Sequence, residues 1–220
     1  MSTGQKVAIV TGASQGIGAG LLQAFRDRNY HVVATSRSIK PAAGSDVVTV
    51  QGDIGAADTA ERVFTTALEH FGRVDTLVNN AGMFMAKPFA LYSQDDYTAY
   101  MSTNVTGFFH MTQRALEFMT RQGSGHVVTI TTSLVDQPMS SVPAALASLT
   151  KGALAAATRA LAIEYAKTGF ASTPCPRESS RRRCTRRRRI KRWRPSIHWV
   201  GWEKCPTSWT PCSTWTVRGL

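Results

Sequence analysis

The chain has 220 residues, 43% of them hydrophobic, which suits one α/β domain with a sizeable core. Residues 170–220 carry 13 of the 26 Lys and Arg residues but only 2 of the 14 Asp and Glu residues, so nearly all of the +12 net charge lies there. All 4 cysteines and all 5 tryptophans also lie after Gly169, so residues 1–169 have neither a disulfide framework nor a thiol catalyst.

Strands and helices alternate along residues 1–169. Apolar runs predict strands at residues 7–10, 31–35, 46–50, 75–79 and 126–131. Periodicity predicts helices at residues 16–28, 58–71, 93–101, 105–121 and 144–167, with Asp58 and Ser93 as N-caps. This alternation predicts a Rossmann-like, doubly wound parallel sheet with right-handed connections and the strand order 3-2-1-4-5.

The first strand leads directly into a glycine-rich turn that opens the first helix. The turn consists of Thr11, Gly12, Ala13, Ser14, Gln15, Gly16, Ile17 and Gly18. Glycine lets the backbone approach a phosphate, and the unpaired amides at a helix start favour an anion. A plain strand–helix turn is the alternative, but the motifs that follow favour a site for a dinucleotide pyrophosphate.

Further motifs lie where the predicted strands end and the next helices begin. They are Asp53-Ile54, Asn79-Asn80-Ala81-Gly82, Asn104, Ser133 and Lys151. Together with the glycine-rich turn, they resemble the short-chain dehydrogenase/reductase family over about residues 4–169. The resemblance implies reversible hydride transfer between a nicotinamide cofactor and an alcohol or carbonyl substrate, catalysed with Asn104, Ser133 and Lys151. It also implies a homo-oligomer.

The resemblance assigns a set of residues to the cofactor. They are Thr11, Gly12, Ser14, Gln15, Gly16, Ile17, Gly18, Ser36, Arg37, Asp53, Ile54, Asn80, Ala81, Gly82 and Lys151. Ser36 and Arg37 follow the second strand, where a carboxylate would bind the ribose 2′-hydroxyl of NAD and repel a 2′-phosphate. A guanidinium can instead form paired hydrogen bonds with a phosphate, so the sequence favours NADP(H) over NAD(H). The alternative is that Arg37 is an ordinary surface arginine.

This sequence departs from the family pattern at the residue that donates the proton. Family members have a tyrosine four residues before the lysine, and this tyrosine gives or takes the proton. The lysine lowers the pKa of the tyrosine, while the serine holds the substrate oxygen. In this chain that position is Ala147, which has no titratable group. Either another donor operates, such as water, a substrate group, Ser141 or Ser148, or the protein is an NADP-binding pseudoenzyme or scaffold.

The periodic pattern ends at Phe170, and arginine runs follow at residues 181–183 and 186–189. Read literally, this segment is a basic tail that could bind nucleic acid, the interpretation we favour least. Its cysteines lack the paired CxxC spacing of a zinc site. We therefore expect small-molecule substrates, no nucleic acid and no metal.

A shift of the reading frame explains the tail better. Codons compatible with Phe170 to Arg177, followed by the first two bases of the Glu178 codon and read one base earlier, encode Ile-Arg-Val-Asn-Ala-Val-Ser-Pro-Gly, which resembles the sixth strand of the family and the Pro-Gly turn after it. In the same way, Trp209 to Trp215 yield Val-Asp-Ala-Val-Leu-Tyr-Leu, which resembles a late family helix. We interpret residues 170–220 as an out-of-frame segment and predict that they are mostly irregular. The sheet would then be truncated after the fifth strand, with that strand's outer edge bare.

The expected location follows from two absences in the sequence. No apolar run approaches the length that spans a membrane, and no charged-then-apolar leader begins the chain. The sequence therefore predicts a cytoplasmic protein without membrane segments.

Overall fold

A six-stranded parallel sheet, ordered β3-β2-β1-β4-β5-β6, organises the computed structural model, which describes residues 4–42, 44–177, 198–200 and 214–216. Its strands are β1 (Val7–Thr11), β2 (His31–Ser36), β3 (Val47–Gln51), β4 (Thr76–Asn79), β5 (Gly125–Thr132) and β6 (Phe170–Arg177). The helices are α1 (Gly16–Arg26), α2 (Ala57–Phe71), α3 (Gln94–Tyr100), α4 (Gly107–Gln122) and α5 (Ala145–Glu164). The Rossmann-like class and the order 3-2-1-4-5 of the first five strands are confirmed.

Helices cover both faces of the sheet, which is why β1, β2 and β4 are buried along nearly their whole length. Successive β2 residues point to opposite faces, so Val33 joins one core cluster while Val32 and Ala34 join the other. The first cluster includes Val63, Phe64, Met111 and Ala115 from α2 and α4. The second is covered by Leu21, Leu22 and Phe25 from α1. The packed sheet therefore positions the loops at the C-terminal ends of its strands.

The predicted truncation after the fifth strand is wrong. Residues 170–177 form β6, an 8-residue strand that pairs parallel with β5 from Gly125 opposite Phe170 to Thr132 opposite Arg177. Phe170 is buried in the first core cluster, with its ring 5.7 Å from that of Tyr165. A parallel ladder uses backbone groups and does not require alternating side chains, so the missing periodicity was misleading. The edge of β5 is therefore paired, and residues 170–177 belong to the sheet.

After residue 177, the structure describes only residues 198–200 and 214–216 of the basic segment. Two short strands, β7 (His198–Val200) and β8 (Thr214–Thr216), pair antiparallel with each other. The predicted irregular residues 178–197, 201–213 and 217–220, including the arginine runs, lie outside the described residues. Within the described ranges, no cluster of acidic, His or Cys side chains could hold a metal ion. None of the helices in these ranges has an apolar stretch of membrane-spanning length.

The helix ends follow local chemistry. Ser93 caps α3 as predicted, because its hydroxyl accepts from the Asp96 amide at 3.1 Å while the Asp96 carboxylate accepts from the Ser93 amide at 2.9 Å. The predicted cap of α2 is wrong, since Ala56 holds that position and Asp58 lies in the first turn. Gly72 ends α2 in a left-handed conformation, with φ of 72°.

Candidate active site

The hydroxyl of Thr11 joins the turn after β1 to the loop after β4. It donates to the Val78 carbonyl at 3.1 Å and accepts from the amides of Asn80 at 3.0 Å and Ala81 at 2.9 Å. In return, Asn80 Nδ2 donates to the carbonyls of Thr11 at 2.9 Å and Gly12 at 3.2 Å. Because Thr11 is completely buried, these bonds hold the two predicted cofactor loops together.

Three glycines of the turn have different structural roles. A Cβ atom at Gly18 would overlap the carbonyl oxygen of Gly12, and one at Gly12 would lie 2.8 Å from the Cα of Ala81. Close backbone packing therefore requires both. Gly16 has φ of 57°, and no atom lies within 4 Å of its would-be Cβ. The turn is therefore packed against backbone at Gly12 and Gly18, and it leaves open space at Gly16, where α1 begins.

The start of α1 is suited to an anion. The turn residues Ser14, Gln15, Gly16 and Ile17 are exposed. The Gln15 side chain makes no capping bond, and the first turn of α1 has no acidic residue. The first amides of α1 and its dipole thus favour a negative group such as a pyrophosphate.

The residues predicted to contact the adenosine half of the cofactor lie at the ends of β2 and β3. Ser36 ends β2, and Arg37 follows it on the surface. Asp53 is exposed, and its carboxylate accepts from the Gly55 amide at 2.9 Å. Ile54 is buried against the start of α4, where a Cβ at Gly107 would lie 2.5 Å from its Cδ1. The parallel sheet therefore brings these strand ends to one edge.

Asn104 lies in a π-helical turn, Met101–Thr106, that immediately precedes α4. The sequence predicted no such turn, and π-helical turns are frequent at functional sites. Asn104 is 1% exposed, its Oδ1 accepts from the Met83 amide at 2.9 Å, and its Nδ2 donates to Thr150 Oγ1 at 3.0 Å. These contacts tie the turn to the loop after β4 and to α5.

Lys151, on α5, lies beside Asn104 and the loop after β4. Its Nζ donates to the Ile130 carbonyl on β5 at 2.7 Å. A Cβ at Gly82 would lie 2.9 Å from this Nζ and 3.1 Å from Asn104 Oδ1. Ser133 begins a 3₁₀ turn directly after β5 and is partly exposed. The structure therefore brings Lys151, Asn104 and Gly82 together, with Ser133 three residues beyond the strand residue that Lys151 contacts.

Ala147 lies in an apolar cluster with Tyr100, Leu134 and Leu146, against which Met83 packs. It is only 1% exposed. The position where family members have their tyrosine is thus packed against apolar side chains.

The candidate replacement donors are engaged elsewhere or solvent-facing. The Ser148 hydroxyl donates to the Leu134 carbonyl at 3.2 Å, and Ser141 is exposed. Tyr100 shares the Ala147 cluster, but its hydroxyl accepts from the Met85 amide at 2.6 Å and donates to the Met85 carbonyl at 3.2 Å. Burial raises the pKa of Tyr100, which makes it a weaker acid. None of the three resembles a poised proton donor.

Sequence reasoning missed two residues at this edge. Thr150 accepts the hydrogen bond from Asn104 and donates to the carbonyls of Leu146 or Ala147, both at 3.2 Å. Its position directly before Lys151 was the available signal. Gln51 ends β3 and donates to the Arg37 carbonyl at 2.8 Å. That contact depends on the register of β2 and β3, which the sequence pattern does not specify.

The model of the short chain dehydrogenase family matches residues 6–173. The chain belongs to this family of oxidoreductases. The resemblance inferred for about residues 4–169 is therefore confirmed.

Individual relatives agree. The chain is 32% identical over 183 residues to an uncharacterized oxidoreductase of Thermotoga maritima, covering 78% of this chain and 70% of the relative. It is 31% identical over 174 residues to the 3-oxoacyl-[acyl-carrier-protein] reductase of Synechocystis, covering 74% and 70%. Among solved structures, the 3-ketoacyl-(acyl-carrier-protein) reductase of Brucella melitensis complexed with NADH superposes with a TM-score of 0.74 at 27% identity, covering 79% of this chain and 75% of that one.

Proposed function

We propose that this short chain dehydrogenase binds a nicotinamide dinucleotide at the C-terminal edge of its sheet and uses it for hydride transfer with an alcohol or carbonyl substrate. The observation that carries the proposal is that Lys151 Nζ and Asn104 Oδ1 both lie close to Gly82. Gly82 follows the loop that Thr11 joins to the glycine-rich turn. The open space at Gly16 supports it, because a pyrophosphate there would meet the amides of α1. The NADH complex of the Brucella reductase also supports it.

The proposed cofactor is NADP(H), with NAD(H) as the alternative. Arg37 is exposed directly after β2, and neither Ser36 nor Arg37 supplies a carboxylate that would repel a 2′-phosphate. Within the described residues, no hydrogen bond or ion pair engages the Arg37 guanidinium. A planar cation at this place suits paired hydrogen bonds to a phosphate.

The proposed mechanism divides the work among the chain's own residues. When bound, the cofactor would supply or accept the hydride. Lys151 would hold the hydroxyls of the nicotinamide ribose, Asn104 would fix the lysine's surroundings, and Ser133 would hold the substrate oxygen. Ala147 cannot move a proton, so the proton would come from water or from the substrate itself.

A specific observation favours a second candidate, a dinucleotide-binding pseudoenzyme. Ala147 is buried in an apolar cluster that includes Leu134 and Leu146, so nothing at this position replaces the tyrosine chemically. Such a protein would bind NADP(H) as a sensor or scaffold without turnover. For either candidate we propose a homo-oligomer, as the family resemblance implies.

Binding and turnover measured on the same material test both candidates. NADPH and NADH titrations followed by fluorescence give the dissociation constants, and a panel of carbonyl substrates with NADPH gives the rate. Binding with turnover supports the oxidoreductase, and binding without turnover supports the pseudoenzyme. Material that binds neither nucleotide contradicts both. A steeply salt-dependent DNA affinity that is lost when residues 170–220 are deleted would instead favour nucleic-acid binding.

A further inference from the structure

The backbone at Arg37 is held by a side chain from the neighbouring strand. Gln51, the last residue of β3, donates from Nε2 to the Arg37 carbonyl at 2.8 Å. The strands end together, because Ser36 and Gln51 form the last pair of their register and the Gly52 amide donates to the Ser36 carbonyl at 3.1 Å. The Gln51 side chain thus reaches from the end of one strand to the residue just beyond the other.

Helix α2 holds Gln51 in turn. Arg62 Nη1 donates to the Gln51 carbonyl at 3.0 Å, and its Nη2 donates to Thr59 Oγ1 at 3.3 Å and lies 3.4 Å from a carboxylate oxygen of Asp58. A Cβ at Gly52 would lie 2.9 Å from Arg62 Nη2, so the guanidinium lies directly against the backbone at the end of β3. A chain of contacts therefore runs from α2 through Gln51 to the Arg37 peptide.

This geometry gives Gln51 a role that an exposed strand-end glutamine does not usually have. Arg37 has a long, flexible side chain, and a bidentate contact with a phosphate requires the guanidinium to be directed. Fixing the peptide from which it projects lowers the conformational entropy lost when the phosphate binds. A neutral amide also provides the donor without placing a carboxylate, which would repel a phosphate, beside Arg37.

We propose that Gln51 is a positioning residue that sets the preference of the dinucleotide site for a ribose 2′-phosphate, by anchoring the Arg37 peptide to β3. The proposal rests on the function proposed above, in which Arg37 contacts that phosphate. It assigns Gln51 no part in binding the rest of the dinucleotide. The expected signature is therefore a change in affinity for NADPH that NADH does not share.

The test measures dissociation constants for NADPH and NADH with the full chain and four variants: Gln51→Ala, Gln51→Glu, Arg37→Ala and Gln23→Ala. Gln23 is the matched control, because it lies on α1 outside the proposed site and its Nε2 donates to Asp27 Oδ1, just beyond the end of that helix, at 2.9 Å. Gln51→Ala should weaken NADPH binding about 3- to 10-fold and change NADH binding by less than about twofold. Gln51→Glu should weaken NADPH binding further, since it loses the amide donor to the Arg37 carbonyl and adds a negative charge that repels the 2′-phosphate. Gln23→Ala should change neither constant.

The outcomes separate this proposal from the one on which it rests. If Arg37→Ala leaves NADPH binding unchanged, the proposed NADP(H) preference fails. If Arg37→Ala weakens NADPH binding but both Gln51 variants bind it like the unmodified chain, the cofactor proposal stands and the role of Gln51 fails. If the Gln51 variants weaken NADPH and NADH binding equally, Gln51 is merely structural and the role fails too. Melting temperatures confirm that each variant is folded.

Discussion

The Nζ of Lys151 lies so close to Gly82 that a Cβ atom on the glycine would be 2.9 Å from it. Asn104 Oδ1 is 3.1 Å from the same point. Lys151 Nζ also donates to the Ile130 carbonyl at 2.7 Å, so it cannot withdraw without breaking that bond. The absence of a side chain at position 82 is therefore a condition for the arrangement of the proposed site.

Gly82→Ala should accordingly displace Lys151 and weaken NADPH binding about tenfold or more, because small displacements of positioning groups are costly. Fluorescence titration measures the effect. Gly20→Ala is the matched control, since it lies on α1 with no atom within 4 Å of its would-be Cβ. It should leave binding unchanged and stabilise the fold by about 0.5–1 kcal/mol. Equal binding by both variants would contradict the role given to Gly82.

Ala147→Tyr should restore the missing acid. If proton transfer limits turnover, kcat on a carbonyl panel should rise about 10²–10⁴-fold, the usual contribution of a general acid. Ala147→Phe is the control, because it adds the same ring to the buried cluster without a hydroxyl. Both variants should be destabilised by about 1–3 kcal/mol through overpacking. A folded Ala147→Tyr variant that is no faster than Ala147→Phe would mean that another defect limits turnover.

Asp96 should make stability depend on pH. Its hydrogen bond from Lys87 Nζ, at 2.6 Å, and that from the Ser93 amide lower the pKa of the carboxyl. The stabilisation is fully present above the unfolded-state pKa of about 3.9 and is lost as the pH falls through the lower folded-state value. Asp96→Asn should therefore lower the melting temperature at neutral pH, and the difference from the unmodified chain should shrink in strong acid.

Asp95→Asn provides the comparison for that experiment. Asp95 lies in the same first turn of α3, so its substitution removes a similar charge but keeps the bond between Lys87 and Asp96. It should lower the melting temperature less at neutral pH. An equal loss in both variants would show that the charge near the helix start matters and the Lys87 bond does not.

The interpretation of the tail as out-of-frame makes a prediction about β6. Pro174 and Pro176 lie in this strand and have no amide hydrogen to donate. A chain with Ile-Arg-Val-Asn-Ala-Val-Ser-Pro at positions 170–177 has one proline fewer and more β-branched residues, so it should melt at a higher temperature. Sequencing of the coding DNA should reveal one base inserted or deleted near codon 170. An intact frame together with no gain in melting temperature would refute the interpretation.

The sequence predicted those parts of the fold that depend on local pattern. Apolar runs placed β1 to β5 because both faces of the sheet are covered, and the Ser93 cap was visible in the sequence because Asp96 completes its box. It did not predict β6, because a parallel ladder places few demands on side chains.

The site followed the same division. The glycine-rich turn was recognisable from its glycines between a strand and a helix, and the Asn80–Gly82 loop from its resemblance to the family motif. The π-helical turn that carries Asn104 was not, since a single extra residue in a helical turn leaves no clear periodic signal. The contact from Gln51 to Arg37 also required the strand register, which only the folded sheet establishes.

The pairing of β6 with β5 has a wider consequence. Because a parallel strand pairs through backbone amides and carbonyls, segments of unrelated composition can occupy the same place in the sheet. They must extend for eight residues and bury one large apolar side chain, such as Phe170. An edge strand of a parallel sheet can therefore tolerate an abrupt change of amino-acid sequence better than a central strand can. On the out-of-frame interpretation, the altered segment forms the outer strand of the sheet, while the loops after β1 and β4 keep the hydrogen bonds between Thr11 and Asn80.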